Sequence, residues 1–147
     1  MKYFIVEELV PESVFNLIGE SALKLMEPSL ITFIENMRIH FGKPITINNW
    51  KWGGQFSQRG LRTKDSEFYN ATSQHSFGKA LDFDIEGLTA QEVRDWVIEN
   101  RKLDWVKPIG FIEDEVNWVH VDIRPTKNSV LLLWHPKTHK IKLYNRE

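Results

Sequence analysis

Two segments of the chain concentrate residue types that can hold a metal ion. The first, Ser-Gln-His-Ser-Phe-Gly-Lys-Ala-Leu-Asp, contains His75 and Asp82, and the second, Trp-Val-His-Val-Asp, contains His120. Two imidazoles and one carboxylate suit zinc, and a hydrolytic zinc site uses three protein ligands with one position open for water. Such a centre lowers the pKa of bound water to about 7, which makes hydroxide available as a nucleophile.

The spacing of these residues fits strands rather than a helix. Gly78 allows a tight turn after His75, and alternation along the following strand then directs Asp82 inward. His120 and Asp122 are two residues apart, so they share one face of a later strand. Asp122 is therefore placed to accept a ring N–H from a ligand histidine.

Each candidate also has an ordinary structural explanation when it is considered alone. A histidine in a turn, such as His75, is commonly a surface residue, and His120 between two valines fits a hydrogen-bonded core histidine. Asp82 in an apolar strand needs a partner, for which a metal ion and a cationic side chain are both common. The three residues together, in a chain without cysteine, favour a metal site.

The composition narrows the class of protein. The chain has 147 residues, no cysteine and a formal net charge of −1. We expect a single domain over residues 1–147 and a monomer. The lack of cysteine excludes cysteine-bound zinc, iron–sulfur clusters and thiol catalysis. No Lys/Arg run marks a nucleic-acid surface, and no apolar run approaches the roughly 20 residues that span a bilayer, so neither nucleic-acid binding nor membrane insertion is expected.

Hydrophobic periodicity predicts three helices. One is expected over residues 11–27, and another follows from Pro28 to a glycine at position 42; both direct an apolar face into the core. Thr89 is a good N-cap for a third helix, with Glu92 completing a capping box. The apolar face predicted for the first helix comprises Val14, Leu17, Ile18 and Leu25.

Short alternating runs predict strands between and after the helices, at residues 44–50, 78–86, 109–113, 118–123, 129–134 and 140–144. Residues 51–74 are rich in Gly, Ser, Arg, Thr, Asp and Asn, and a loop of this length inside a compact domain is often functional. The order of elements predicts an α+β fold with a mostly antiparallel sheet and helices packed on one side.

The two ligand segments together resemble the zinc D-alanyl-D-alanine carboxypeptidase family. The pattern Ser-x-His-x-x-Gly-x-Ala-x-Asp followed by Trp-Val-His-Val-Asp is similar to that of bacterial D,D-carboxypeptidases, peptidoglycan endopeptidases and phage endolysins. These proteins share their fold with the hedgehog signalling domain. The similarity of order and spacing covers residues 44–124, and the Asn-Asn-Trp and Arg-Gly-Leu-Arg-Thr segments look most like phage-encoded members.

The resemblance implies Zn²⁺ on the two histidines and the aspartate, and hydrolysis of amide bonds in peptidoglycan stem peptides or cross-links. In such enzymes an arginine upstream of the first zinc histidine binds a substrate carboxylate, and Arg59 and Arg62 are the candidates here. A guanidinium offers a carboxylate a bidentate pair of donors. Ser73 either hydrogen-bonds the peptide or caps its own turn.

One position departs from the family pattern. Many members carry a glutamate general base three residues before the last zinc histidine, and this chain has Asn117 there. Of the nearby acids Glu113, Asp114 and Glu115, we favour Glu113 as the base because it ends a predicted strand. The alternative is a non-catalytic, zinc-stabilised binding or virion structural module of the same fold.

The N-terminus lacks the long apolar stretch and cleavage site of a signal peptide. We therefore expect synthesis in the cytoplasm. A catalytic protein of this kind would act at the bacterial cell wall, which a phage-derived enzyme would reach through a holin or a virion.

Overall fold

The protein has an α+β architecture with three helices and one six-stranded sheet, in a computed structural model that describes all 147 residues. The helices are α1 (Glu12–Ile18), α2 (Pro28–Phe41) and α3 (Ala90–Glu99). The strands are β1 (Ile45–Thr46), β2 (Ala80–Ile85), β3 (Phe111–Glu113), β4 (Val119–Asp122), β5 (Leu131–Trp134) and β6 (Ile141–Tyr144). No helix is long and apolar enough to cross a bilayer.

The sheet is mixed rather than purely antiparallel. Its strand order is β1-β2-β4-β3-β5-β6, and every neighbouring pair is antiparallel except β3 and β5. After β4 the chain reverses direction and forms β5. Because β4 occupies one edge of β3, β5 pairs with the other edge of β3. The strand that forms there runs in the direction of β3, which makes this pairing parallel.

The two faces of the sheet differ in polarity because side chains alternate along each strand. One face is apolar and packs against α2 and α3; the rings of Phe33 in α2 and Phe83 in β2, for example, lie 6.2 Å apart. The opposite face of β2 and β4 carries Asp82, His120 and Asp122. Helices α2 and α3 therefore cover one face and leave the other for the polar residues.

The second and third helices are confirmed, whereas the first was predicted too long. A glycine in the left-handed region ends α2, and Thr89 and Glu92 form the predicted capping box at the start of α3. The first helix stops at Ile18 because Gly19 has a φ of 57°, and residues 19–25 continue as a 3₁₀-helix. The predicted apolar face is only partly correct, because Val14 packs against the core whereas Leu17 is 82% exposed.

The long loop over residues 51–74 is fixed beside β2. The backbone N–H of Asp82 donates to the carbonyl of Arg59 at 2.8 Å, so the loop lies along an edge of β2. Buried Asn48 accepts from the Arg59 N–H at 2.9 Å and donates to the Val10 carbonyl at 3.2 Å. Gly60 passes so close to the carbonyl of Leu9 that no Cβ would fit there.

Candidate metal centre

His75 is positioned by a short 3₁₀-helix over Gln74–Phe77. The hydroxyl of Ser73 caps this helix by accepting from the His75 N–H at 3.3 Å. Gly78 ends it with a φ of 66°, at a place where a Cβ would collide with the carbonyl of Leu25. The chain therefore turns directly into β2 and brings His75 close to Asp82.

Three ligand atoms converge at the centre of the polar face. His75 Nε2 lies 3.3 Å from His120 Nδ1 and 3.3 Å from Asp82 Oδ1, and the last two atoms are 2.7 Å apart. Tetrahedral zinc with bonds of about 2.0–2.1 Å separates its ligand atoms by about 3.3 Å. Two of the three distances already have this value, and the three buried residues form a group that could hold a metal ion.

The hydrogen bonds at the outer sides of the imidazoles direct their lone pairs toward the centre. His75 Nδ1 donates to the carbonyl of Gly60 at 2.8 Å, which leaves Nε2 as an acceptor. His120 Nε2 donates to Asp122 Oδ2 at 3.2 Å, which leaves Nδ1 as an acceptor. With Asp82 Oδ1, three electron-pair donors then face one another, an arrangement that needs a proton or a cation between them. The chemistry of the donor set therefore fits a metal ion.

The pKa values of His120 and Asp82 are consistent with a site for a cation. Burial alone would lower the pKa of His120, but hydrogen bonds and charges from Asp122 and Asp82 outweigh it and raise the pKa to about 9. Burial alone would raise the pKa of Asp82, but contacts with His120 and His75 hold this pKa well below its usual range. A proton thus takes the place of a cation, and a metal that binds must displace it.

Asp122 is fixed on the far side of the His120 ring. Its fully buried carboxylate accepts from the Arg124 side chain at Nε and Nη2, with distances of 2.9 and 2.6 Å, and from the Arg124 backbone N–H at 3.0 Å. The Arg124 guanidinium in turn lies 3.8 Å from the centroid of the Phe111 ring. These contacts fix Asp122, which in turn orients the His120 imidazole.

Replacing Asp122 with asparagine is expected to weaken zinc binding about 10–100-fold, because a hydrogen-bond partner of this kind orients the ligand and raises its basicity. Competition with a chromogenic chelator would measure the change in affinity. Asp114→Asn is the control, since this carboxylate faces Arg94 at 3.7 Å rather than the centre. Equal affinities in the two variants would contradict the role of Asp122.

The two candidate arginines lie in the same cleft as the ligands, and both are paired with aspartates. Arg62 Nη2 is 3.3 Å from Asp82 Oδ2, so this guanidinium contacts the outer oxygen of a candidate ligand carboxylate. Arg59 Nη1 is 2.7 Å from Asp84 Oδ2, and its guanidinium stacks 4.3 Å from the Phe56 ring centroid. Binding of a substrate carboxylate by either arginine remains a prediction.

Of the three acids considered for the general base, only Glu113 lines the cleft, which has a volume of about 1590 Å³. Extending the pairing of Ile112 with Val121 by one residue places Glu113 beside His120. Burial raises the pKa of Glu113, which brings it toward the range useful for proton transfer near neutral pH. Asn117 also lines the cleft.

The loop that follows Glu113 is fixed from the opposite face of the sheet. Buried Arg94 of α3 donates to the carbonyls of Val116 and Trp118 at 2.9 and 3.1 Å. Glu115 is directed away from the metal centre, with its carboxylate 3.1 Å from His135 Nε2. This loop therefore holds Glu113 at the cleft and Glu115 outside it.

Several contributors to the cleft were not found by sequence reasoning. The Gly60 carbonyl has no signal in the sequence, because any residue carries a carbonyl. Phe111 and Trp134 share strand faces with other cleft residues, but only the pairing of β3 with β5 brings them together.

Comparison of the chain with models of known families, with curated proteins and with solved structures found no match.

Proposed function

We propose that the protein is a zinc-dependent hydrolase of amide bonds in the peptides of bacterial peptidoglycan, with a fold like that of the hedgehog domain and the D,D-peptidases. The observation that carries this proposal is the convergence of His75, Asp82 and His120 in one cleft with Glu113. The resemblance of the two ligand segments to zinc D-alanyl-D-alanine carboxypeptidases supplies the substrate class.

The donor set favours zinc over the other common divalent ions. Two imidazole nitrogens and one carboxylate oxygen, with a fourth position open, form the typical ligand set of a catalytic zinc site, whereas Mg²⁺ and Ca²⁺ prefer oxygen ligands alone. Bound there, zinc would polarise the scissile carbonyl and lower the pKa of a coordinated water to about 7.

Glu113 would move the proton in this reaction. Its carboxylate accepts a proton from the attacking water and then delivers it to the leaving amine nitrogen, so the peptide bond breaks without release of a free amide anion. Its place beside His120, at the wall of the cleft, supports this role. Burial, which raises its pKa, makes it a better base than an exposed glutamate.

Arg59 is a better candidate than Arg62 for holding a substrate carboxylate. Arg62 contacts the outer oxygen of Asp82, so its main effect would be to orient this ligand. Arg59 pairs through Nη1 with Asp84, whose side chain is partly exposed, and a substrate carboxylate could bind the remaining N–H groups of the guanidinium.

Digestion of purified bacterial sacculi tests the proposed function. Zinc-loaded protein is expected to release new amino termini, and protein stripped with a chelator is expected to release none. Mass spectrometry of the products would show whether free D-alanine or separated cross-links are formed, and so which bond is cut. Zinc-loaded protein that leaves sacculi intact would contradict the proposal.

A non-catalytic module is the second candidate, in which zinc only stabilises a binding or virion structural domain. Asn117 favours it, because this cleft residue stands where many members of the resembled family carry the general base. Zinc-loaded protein that binds sacculi without cutting them would support this candidate. If the protein is catalytic, we propose that it acts at the bacterial cell wall.

A further inference from the structure

A third arginine, Arg124, lines the cleft, although neither the ligand set nor the proposed proton transfer uses it. Its Nε and Nη2 atoms donate to buried Asp122 at 2.9 and 2.6 Å, so this carboxylate holds one side of the guanidinium. An arginine has five N–H donors, so the two of Nη1 and one of Nη2 have no partner in the protein. The side chain is 41% exposed, which leaves these donors open to a ligand.

Arg124 and Arg59 are held in the same way. The Arg124 guanidinium lies 3.8 Å from the centroid of the Phe111 ring, and that of Arg59 lies 4.3 Å from the centroid of the Phe56 ring. Each guanidinium is thus fixed by one aspartate and one aromatic ring before any ligand binds. A donor group that is already in place loses little conformational entropy when it binds an anion.

The two arginine–aspartate pairs lie on opposite sides of the metal centre. On the polar face of the sheet, the register places Asp82 of β2 beside His120 of β4. Asp84, the partner of the first arginine, lies two residues from Asp82 along β2, and Asp122 lies two residues from His120 in the opposite direction. At about 3.3 Å per residue and about 4.8 Å between strands, the two outer aspartates are about 14 Å apart. A ligand that reached both arginines would therefore cross the metal centre.

Pairing with Asp122 does not account for all the donors of Arg124. Arg94 shows how an arginine with a structural function is placed in this protein: its side chain is 4% exposed, it donates to backbone carbonyls, and it does not line the cleft. Arg124 instead keeps Nη1 and part of Nη2 free in the cleft. This end of a guanidinium can bind a carboxylate through two parallel hydrogen bonds.

We propose that Arg124 holds a second carboxylate of the peptide substrate, while Arg59 holds the first. This inference rests on the proposed hydrolase function. An extended peptide covers about 14 Å in about four residues. Stem peptides offer two carboxylates at such a separation, one on a D-glutamate that is linked through its side chain and one at the C-terminus. Binding of both stretches the peptide across the metal centre, so the cleaved bond lies between the two carboxylates.

The test compares the binding of acids and amides, so that it does not depend on turnover. Zinc-loaded Glu113→Gln protein would be titrated calorimetrically with a stem pentapeptide that has lysine third and both carboxylates free, and with the two peptides in which one carboxylate is amidated. Each amidation should weaken binding about tenfold, since a hydrogen bond to a charged group contributes at least this much. Adding Arg124→Gln should remove the penalty for one carboxylate, and adding Arg59→Gln should remove the penalty for the other.

Two further variants separate ligand binding from support of Asp122. Arg124→Lys keeps a cation beside this carboxylate but has no planar pair of donors, so it should lose most of the same penalty while it keeps the zinc. Lys127→Gln removes an exposed cation three residues along the chain and outside the cleft, and it should leave both penalties unchanged. The zinc content of each variant would be measured by mass spectrometry, and Arg124→Lys carries the test if Arg124→Gln fails to fold.

The possible outcomes separate the second carboxylate site from the proposed function. Arg124 variants that bind all three peptides more weakly but keep both penalties would show that this arginine only supports Asp122, and would overturn the second site. A single penalty in the parent protein, removed by Arg59→Gln, would also overturn it; in both cases the hydrolase function stands. If no peptide binds, the second site is overturned, and digestion of sacculi by the wild type decides the hydrolase function separately.

Discussion

Replacing Glu113 with glutamine is expected to lower the rate of amide hydrolysis about 10²–10⁴-fold while the bound zinc is retained, because a general base contributes this much and the amide cannot accept the proton. Glutamine has nearly the same shape as glutamate, so packing at the end of β3 should be preserved. The release of amino groups from sacculi measures the rate, and metal analysis of the same preparation shows that the centre is intact.

The neighbouring acids provide matched controls for this result. Asp114→Asn and Glu115→Gln make the same chemical change on carboxylates that do not line the cleft. Both variants should keep the wild-type rate. A Glu113→Gln protein that hydrolyses sacculi as fast as the wild type would show that the proton is carried by another group.

Zinc is expected to stabilise the folded protein strongly. A ligand at 100 to 1,000 times its dissociation constant adds about 2.7–4.1 kcal/mol to the free energy of unfolding, which for a chain of this size corresponds to a rise of about 5–15 °C in Tm. The three lone pairs converge only in the folded state, so zinc is expected to bind the folded protein more tightly than the unfolded chain. Differential scanning calorimetry with and without zinc would measure the shift.

Asp82→Asn should abolish most of this shift, because an amide oxygen is a weak zinc ligand and carries no charge. Asp84→Asn is its control, since Asp84 lies two residues along the same face of β2 and is outside the ligand group. A zinc-dependent rise in Tm that is equal in Asp82→Asn and wild type would show that zinc binds elsewhere.

Local signals in the sequence were sufficient for the elements whose boundaries depend on nearby residues. A proline and a glycine mark the ends of α2, and Thr89 with Glu92 marks the start of α3. The first helix failed because periodicity cannot show that Gly19 adopts a positive φ. Once the helix ends there, the apolar spacing beyond Ile18 no longer describes one face of one helix.

The candidate ligands could be selected from the sequence because their residue types are unusual in their settings. Asp82 in an apolar strand and His120 between valines both call for a partner. The groups that contact these candidate ligands could not be predicted in this way. The contact of Arg62 with Asp82 and the bond from His75 to the Gly60 carbonyl depend on the path of the long loop, which no local pattern determines.

The parallel pairing of β3 with β5 was missed for a similar reason. Alternation within each segment predicts which residues share a face, but it does not predict which strands become neighbours. That pairing is what places Glu113 next to Trp134 in the cleft.

Metal analysis by mass spectrometry of the purified wild type and of His120→Ala would show whether the protein holds zinc at the candidate centre. His135→Ala is the control, because His135 is outside the ligand group. We predict one zinc ion per chain in the wild type and in His135→Ala, and none in His120→Ala. A wild type that holds no zinc after zinc is supplied and the excess removed, or a His120→Ala protein that keeps it, would contradict the metal centre described here.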